Sequence, residues 1–210
     1  MDLKNSMLII NFLKASVCLW SAAAVYSYYP VANLFSVHAM LLSILVLTLV
    51  LSYIEAAHAR VSGGEKKRTH VTNHKLGMIV SIICSYIGAA LMVKRRFDQG
   101  KGFLFQDRKP TYHSTFGLAW LGIALLSSSS GWLVHKEIKS LDSISISIFK
   151  FIGKGNVKVG QRCLKYYHRY GSFAAVTLAF FAVALGLYKS KRVLLSYLLG
   201  AIYFFLCLIF

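Results

Sequence analysis

Four histidines stand at equivalent places along this chain, each at the N-terminal end of a long apolar run. They are His38, His74, His113 and His168, in the stretches LFSVHAM, NHKLGM, TYHSTFGLAW and YHRYGSF. An ionisable side chain at the edge of hydrocarbon is costly to place, so it is by default a sign of function. Imidazole nitrogens bind transition-metal ions and haem iron. A single buried histidine is more often hydrogen-bonded across helices, but four in one relative position predict ligation.

The apolar runs are long enough to cross a bilayer. The chain has 210 residues, of which 57% are hydrophobic and 15% are charged. Because a membrane span needs about 20 mostly apolar residues, the sequence predicts six helices. These lie at about 7–29, 31–57, 76–93, 113–134, 168–188 and 193–210. We therefore expect an all-α membrane protein, with residues 1–210 forming a single transmembrane domain and no separate soluble module.

The loops carry almost all of the formal charge of +17. Lysine and arginine are more frequent in the loops that would be cytoplasmic if the N-terminus were inside, and this bias predicts that orientation. Such loops lie near anionic lipid headgroups, and they could also attract a small anionic substrate. Residues 1–30 are compatible with a cleaved signal peptide, although a retained first helix is the interpretation that we favour.

Alternating helix directions sort the four histidines into two pairs. The second predicted helix runs inward, so His38 lies near the outer face, and His113 lies there by the same alternation. His74 and His168 lie near the cytoplasmic face. Two imidazoles on neighbouring helices can hold one haem iron from both sides, which leaves no open coordination position and makes electron transfer the expected chemistry.

Glycine follows three of the four histidines by one helical turn, on the same helix face, where it would leave room for a porphyrin. These glycines are Gly77, Gly117 and Gly171. The remaining histidines fit less well. His58 falls on the opposite helix face from His38 and is expected to be a solvated loop residue. His135 is an alternative ligand for the cytoplasmic pair.

Two other functional classes remain open. His70 and His74, in HVTNH, have the spacing of metal ligands on a helix and would suit a di-iron membrane desaturase or hydroxylase. Such enzymes need several clustered histidine boxes, and this sequence has one. A six-helix scaffold or metal-ion transporter without haem is the second alternative, but a transporter more often has acidic residues inside its spans, and here only Glu55 comes close.

A long connection separates the fourth and fifth predicted helices, and serine alternates with isoleucine between Ser143 and Ile148. An alternation of period two favours a strand. A lone strand beside a membrane has no pairing partner, so we expect an interfacial segment whose apolar side chains lie among the lipid headgroups.

Taken together, the order and spacing of the four histidine stretches resemble the cytochrome b561 family, in particular its short members. The resemblance covers residues from about 34 to 189. It implies a six-helix protein in which the second to fifth helices form a four-helix core around two haem b groups. His38 and His113 would ligate one haem, and His74 and His168 the other. Ala39 stands where the family often has proline, which removes a helix-start preference but no ligand.

The resemblance further implies a transmembrane ascorbate-dependent oxidoreductase. Electrons would pass from cytoplasmic ascorbate to ferric iron or monodehydroascorbate on the opposite side, in an endomembrane such as that of the endoplasmic reticulum or a vesicle. No nucleic acid is implied as a partner, and a homodimer is compatible with the family. Family members bind ascorbate through basic side chains near the cytoplasmic haem. The residues placed for that role here are Lys66, Lys67, Arg68, Arg162 and Lys165.

Overall fold

Helices make up nearly all of the structure, a computed structural model that describes residues 3–29, 33–101, 111–134 and 143–209. Helix accounts for 92% of those residues, and none of them lies in a strand. The helices are α1 (Leu3–Tyr28), α2 (Leu34–Val61), α3 (Gly64–Asp98), α4 (Tyr112–Val134), α5 (Ser143–Ile152), α6 (Val157–Lys189) and α7 (Val193–Ile209). The predicted all-α class is therefore confirmed for the described part of the chain.

Five of these helices are long and apolar enough to cross a membrane: α1 through its segment Ile9–Tyr28, α2, α3, α4 and α6. They are the helices of a multi-pass membrane protein. The last helix, α7, has 17 mostly apolar residues, a length at the lower end of the range of about 17–25 residues that spans a bilayer.

Two helices begin well before the apolar runs that predicted them. The third predicted span was expected to start at residue 76, whereas α3 begins at Gly64; the fifth was expected at 168, whereas α6 begins at Val157. The added turns are rich in lysine and arginine, which favour helix but lower hydropathy. His74 and His168 consequently lie about three turns inside their helices. With 35 residues, α3 is about 52 Å long and exceeds a hydrocarbon core of about 30 Å.

The segment that alternates serine and isoleucine forms the short helix α5. A helix satisfies its backbone hydrogen bonds internally, which a lone strand cannot do. Phe149 is fully buried, and Gly160 of α6 lies directly against its backbone carbonyl. Ile144 and Phe151 remain 71% and 88% exposed. These two side chains leave α5 with an apolar surface of the kind expected at a lipid headgroup layer.

The chain divides into two compact units. The first unit comprises Met1–Gly117 and Ala179–Phe210, and the second comprises Leu118–Leu178. In the first unit, α1 packs against α2 and α7, and Lys14, which interrupts the apolar face of α1, lies with its Nζ 3.9 Å from Oε1 of Glu55. In the second unit, the hydroxyl groups of Ser127 and Ser172 share a buried hydrogen bond.

Candidate functional site

His38 and His113 come together in the first unit. Their ring centroids are 6.3 Å apart and their ring planes are nearly perpendicular, at 85°. An imidazole nitrogen binds a metal ion at about 2 Å, and that nitrogen lies about 1 Å from its ring centre, so two imidazoles on opposite sides of one ion have centroids about 6 Å apart. The observed spacing leaves room for one metal ion between the two rings, and it is also that of an ordinary edge-to-face ring contact.

All four predicted ligands use the same ring nitrogen for a hydrogen bond to the backbone of a neighbouring helix. The Nδ1 atoms of His38, His74, His113 and His168 bond the carbonyls of Gly88, Ser52, Ala182 and Ser127 at 2.9, 2.9, 2.6 and 2.9 Å. A carbonyl only accepts, so each Nδ1 is the protonated nitrogen. The lone pair of the neutral ring then lies on Nε2, which is the arrangement of a metal-ligating histidine with its second nitrogen anchored.

The two hydrogen bonds between α2 and α3 are reciprocal. His38 of α2 bonds α3 at Gly88, and His74 of α3 bonds α2 at Ser52. On each helix the acceptor residue follows the histidine by 14 residues, which is about four turns and about 21 Å. Each helix therefore carries, on nearly one face, a histidine and, about 21 Å further along, an acceptor for its neighbour's histidine.

The same spacing of 14 residues recurs between α4 and α6, where Ser127 follows His113 and Ala182 follows His168. His113 bonds Ala182 within the first unit, and His168 bonds Ser127 within the second. The four acceptor residues, Ser52, Gly88, Ser127 and Ala182, are all small. A bulky side chain at those positions would keep an imidazole away from the carbonyl behind it.

Three histidine rings also lie against glycines that sequence reasoning did not single out as ring neighbours. A Cβ atom added to Gly131 would lie 2.5 Å from Cε1 of His168, and one added to Gly186 would lie 2.9 Å from Cε1 of His113. At Gly88 the corresponding distance to Nδ1 of His38 is 3.2 Å. Gly131 and Gly186 each lie one helical turn after the residue whose carbonyl accepts the hydrogen bond. The imidazole ring therefore passes over the glycine to reach that carbonyl.

The glycines that were predicted to leave room beside the ligands have different surroundings. Gly77 lies against the side chain of Ser52, so it permits close packing of α3 on α2. An added Cβ at Gly171 would make only ordinary contacts, and one at Gly117 would meet open space.

His58 does not lie in a solvated loop, and that prediction was wrong. The helix α2 continues to Val61, and its connection to α3 is only two residues long. His58 is therefore half-buried, with its ring centroid 5.1 Å from that of His70 on α3. His135 lies outside the described residues.

Two groups of basic residues predicted to bind substrate are exposed on the early turns of α3 and α6. Lys66, Lys67 and Arg68 belong to the first unit, and Arg162 and Lys165 to the second. Of these five, Arg68 lines an open pocket of about 700 Å³, together with residues that include Glu65, Thr72 and Asn73. The residues that line this pocket lie along the first three turns of α3, centred on the helix face opposite His74.

His74 and His168 belong to different compact units, and each forms its backbone hydrogen bond within its own unit.

No protein-family model matches this chain, and no curated protein matches its sequence.

Proposed function

We propose that this protein transfers electrons across a membrane through two haem b groups, each held between two histidines, as the resemblance to the cytochrome b561 family implies. One observation carries the proposal most strongly. All four histidines on four membrane-length helices anchor Nδ1 to a backbone carbonyl. This anchoring is the arrangement expected of metal-ligating histidines, whereas helix packing alone does not require the same ring nitrogen to be used at all four positions.

His38 and His113 would hold the haem near the outer face, and His74 and His168 the haem near the cytoplasmic face. A bis-histidine haem supplies one-electron transfer without an open coordination position for substrate. The backbone carbonyls would fix both ring orientations and raise ligand basicity by accepting a hydrogen bond from each Nδ1–H. The 14-residue spacing on α2 and α3 sets the two histidine layers about 21 Å apart along that helix pair.

The electron donor would be ascorbate, and the acceptor ferric iron or monodehydroascorbate on the other side. An anionic donor needs positive charge beside the cytoplasmic histidines. Exposed basic side chains on the early turns of α3 would provide it, among them Arg68. Guanidinium is suited to bind an enediolate or carboxylate in a bidentate manner. Lys66 and Lys67 add a local positive field, as would Arg162 and Lys165 on α6.

The cofactor content of the purified protein tests this proposal. Protein expressed with ample haem should contain two haem b groups per chain, and its reduced absorption spectrum should be that of six-coordinate low-spin haem. Ascorbate should reduce it. A folded preparation that remains colourless under those conditions would favour the alternative of a scaffold or ion transporter without haem, and the proposal would be abandoned.

A further inference from the structure

A second group of metal-binding side chains lies where α2 ends and α3 begins, apart from the four anchored histidines. Glu55 and His58 extend from α2, and His70 extends from α3. Taking one possible ligand atom from each residue, the three atoms lie within 4.8 Å of one another. His70 Nδ1 is 2.8 Å from Glu55 Oε2, and the side chains of His70 and Glu55 are only 25% and 18% exposed. The three side chains thus converge in a partly enclosed space.

One nitrogen of this cluster, His58 Nε2, is buried and has no hydrogen-bond partner among the described residues. A buried polar atom without a partner costs about 1–3 kcal/mol, and such atoms in native proteins call for a specific explanation. A metal ion bound by that nitrogen would supply one.

The donor set is also that of a known class of metal site. Two imidazoles and one carboxylate bind Zn²⁺ or Fe²⁺ at about 2.0–2.2 Å and leave one or more coordination positions open. Donor atoms on one such ion lie about 3 Å apart, so small side-chain rotations would bring the present atoms into range. We propose that Glu55, His58 and His70 bind one divalent transition-metal ion.

Two neighbours of Glu55 would have opposite effects on the binding of a cation. Asn73 donates from Nδ2 to Glu55 Oε2 at 3.3 Å, which orients the carboxylate. The Nζ of Lys14 lies 3.9 Å from Glu55 Oε1 and opposes a cation. Lys14 is 36% exposed at its side chain, so it can turn towards solvent. Metal binding would release the proton that His70 now shares with Glu55.

Zinc binding to the full-length protein in detergent tests this site. The protein should be purified without a polyhistidine tag and titrated with Zn²⁺ alone by equilibrium dialysis. One Zn²⁺ per chain should bind with micromolar or tighter affinity. His58→Ala and His70→Ala should each weaken binding at least about tenfold, since each removes one of three protein ligands. Glu65→Gln, which removes an exposed carboxylate on the same helix as His70, should leave the affinity unchanged.

A thermal melt distinguishes lost ligands from lost fold. Zn²⁺ should raise the melting temperature of the parent and of Glu65→Gln, and it should not raise that of His58→Ala or of the near-isosteric Glu55→Gln. The site needs no haem, so His58→Ala and His70→Ala should weaken Zn²⁺ binding in haem-free protein as well, and a failure of the proposed electron transfer would leave this result intact. Absence of saturable binding to folded parent protein, or unchanged affinity in both histidine variants, would overturn the proposal.

Discussion

Each of the four histidines forms a hydrogen bond from its ring to the backbone of one small residue on a neighbouring helix. His38, His74, His113 and His168 are conspicuous in the sequence because a titratable group in an apolar run is rare. Their acceptors, Ser52, Gly88, Ser127 and Ala182, are not conspicuous, because a carbonyl is present at every residue and leaves no mark in the sequence. A signal was nevertheless there, since a small residue follows every one of the four histidines by 14 positions.

Replacing one ligand should disable one haem and leave the other. His113→Ala removes a ligand of the proposed outer site, so we expect about half of the parent haem content to be lost or spectrally altered. The variant reconstituted in vesicles should still be reduced by ascorbate on the cytoplasmic side, but should not reduce a sealed acceptor on the other side. His168→Ala is the matched variant and should fail at reduction by ascorbate. Transfer at the parent rate by His113→Ala would contradict the two-layer arrangement.

Gly131 lies against the ring of His168 and should be as necessary for the position of that ring as the hydrogen bond from His168 Nδ1 to Ser127. Gly131→Ala puts a methyl group 2.5 Å from the ring, and overpacking of this kind costs about 1–3 kcal/mol. Ring displacement should lower the haem content of the cytoplasmic site, measured by the absorbance of the purified protein. Gly122→Ala, on the same helix, places its methyl group in open space and should be neutral or slightly stabilising, because alanine favours helix. Equal haem loss in both variants would exclude a specific role for Gly131.

At the scale of helices, hydropathy identified the membrane-length segments but not where they begin. The window that gave 76–93 detects apolar side chains, whereas α3 is extended to Gly64 by residues such as Glu65, Lys66 and Arg68, which favour helix and face solvent. The same limitation placed His58 in a loop. Because α2 and α3 are joined by only two residues, the polar end of α2 lies beside the polar start of α3. Residues in these polar turns, such as His58, therefore lie next to a neighbouring helix.

Substitutions in the first turns of α3 can separate the contribution of Arg68 to ascorbate reduction from that of its neighbours. Arg68→Gln should slow reduction by ascorbate about tenfold, because a hydrogen bond to a charged group contributes about 1.5–3 kcal/mol. Lys67→Gln removes the same charge from the adjacent exposed residue but removes no bidentate donor, and should have a smaller effect. Stopped-flow reduction at several ionic strengths measures both. Equal slowing in the two variants, abolished by salt, would indicate general steering of the anion rather than a contact with Arg68.

At the scale of the whole molecule, the distribution of lysine and arginine in the loops predicts that the N-terminus is cytoplasmic. Because α3 is one continuous helix, its two ends should lie on opposite sides of the membrane, which labelling can test. The helix runs without interruption from Gly64 to Asp98 and contains an apolar segment long enough to span. Cysteines introduced at Lys66 and Lys101, in a background without the native cysteines, should react with an impermeant reagent from opposite sides of sealed vesicles. Lys66→Cys and Lys158→Cys should be labelled from the cytoplasmic side. Labelling of Lys66→Cys and Lys101→Cys from the same side would overturn the predicted helix directions and the pairing of histidines that follows from them.

The reciprocal hydrogen bonds restrict how the length of these helices can change. One residue inserted between His38 and Ser52 would rotate the rest of α2 by about 100° and shift it by about 1.5 Å, carrying the Ser52 carbonyl away from His74. An insertion of seven residues, about two turns, would restore the helix face but would lengthen that side of the hairpin by about 10 Å, and α3 would need the same insertion to match. Insertions and deletions should therefore be tolerated outside these intervals and excluded within them.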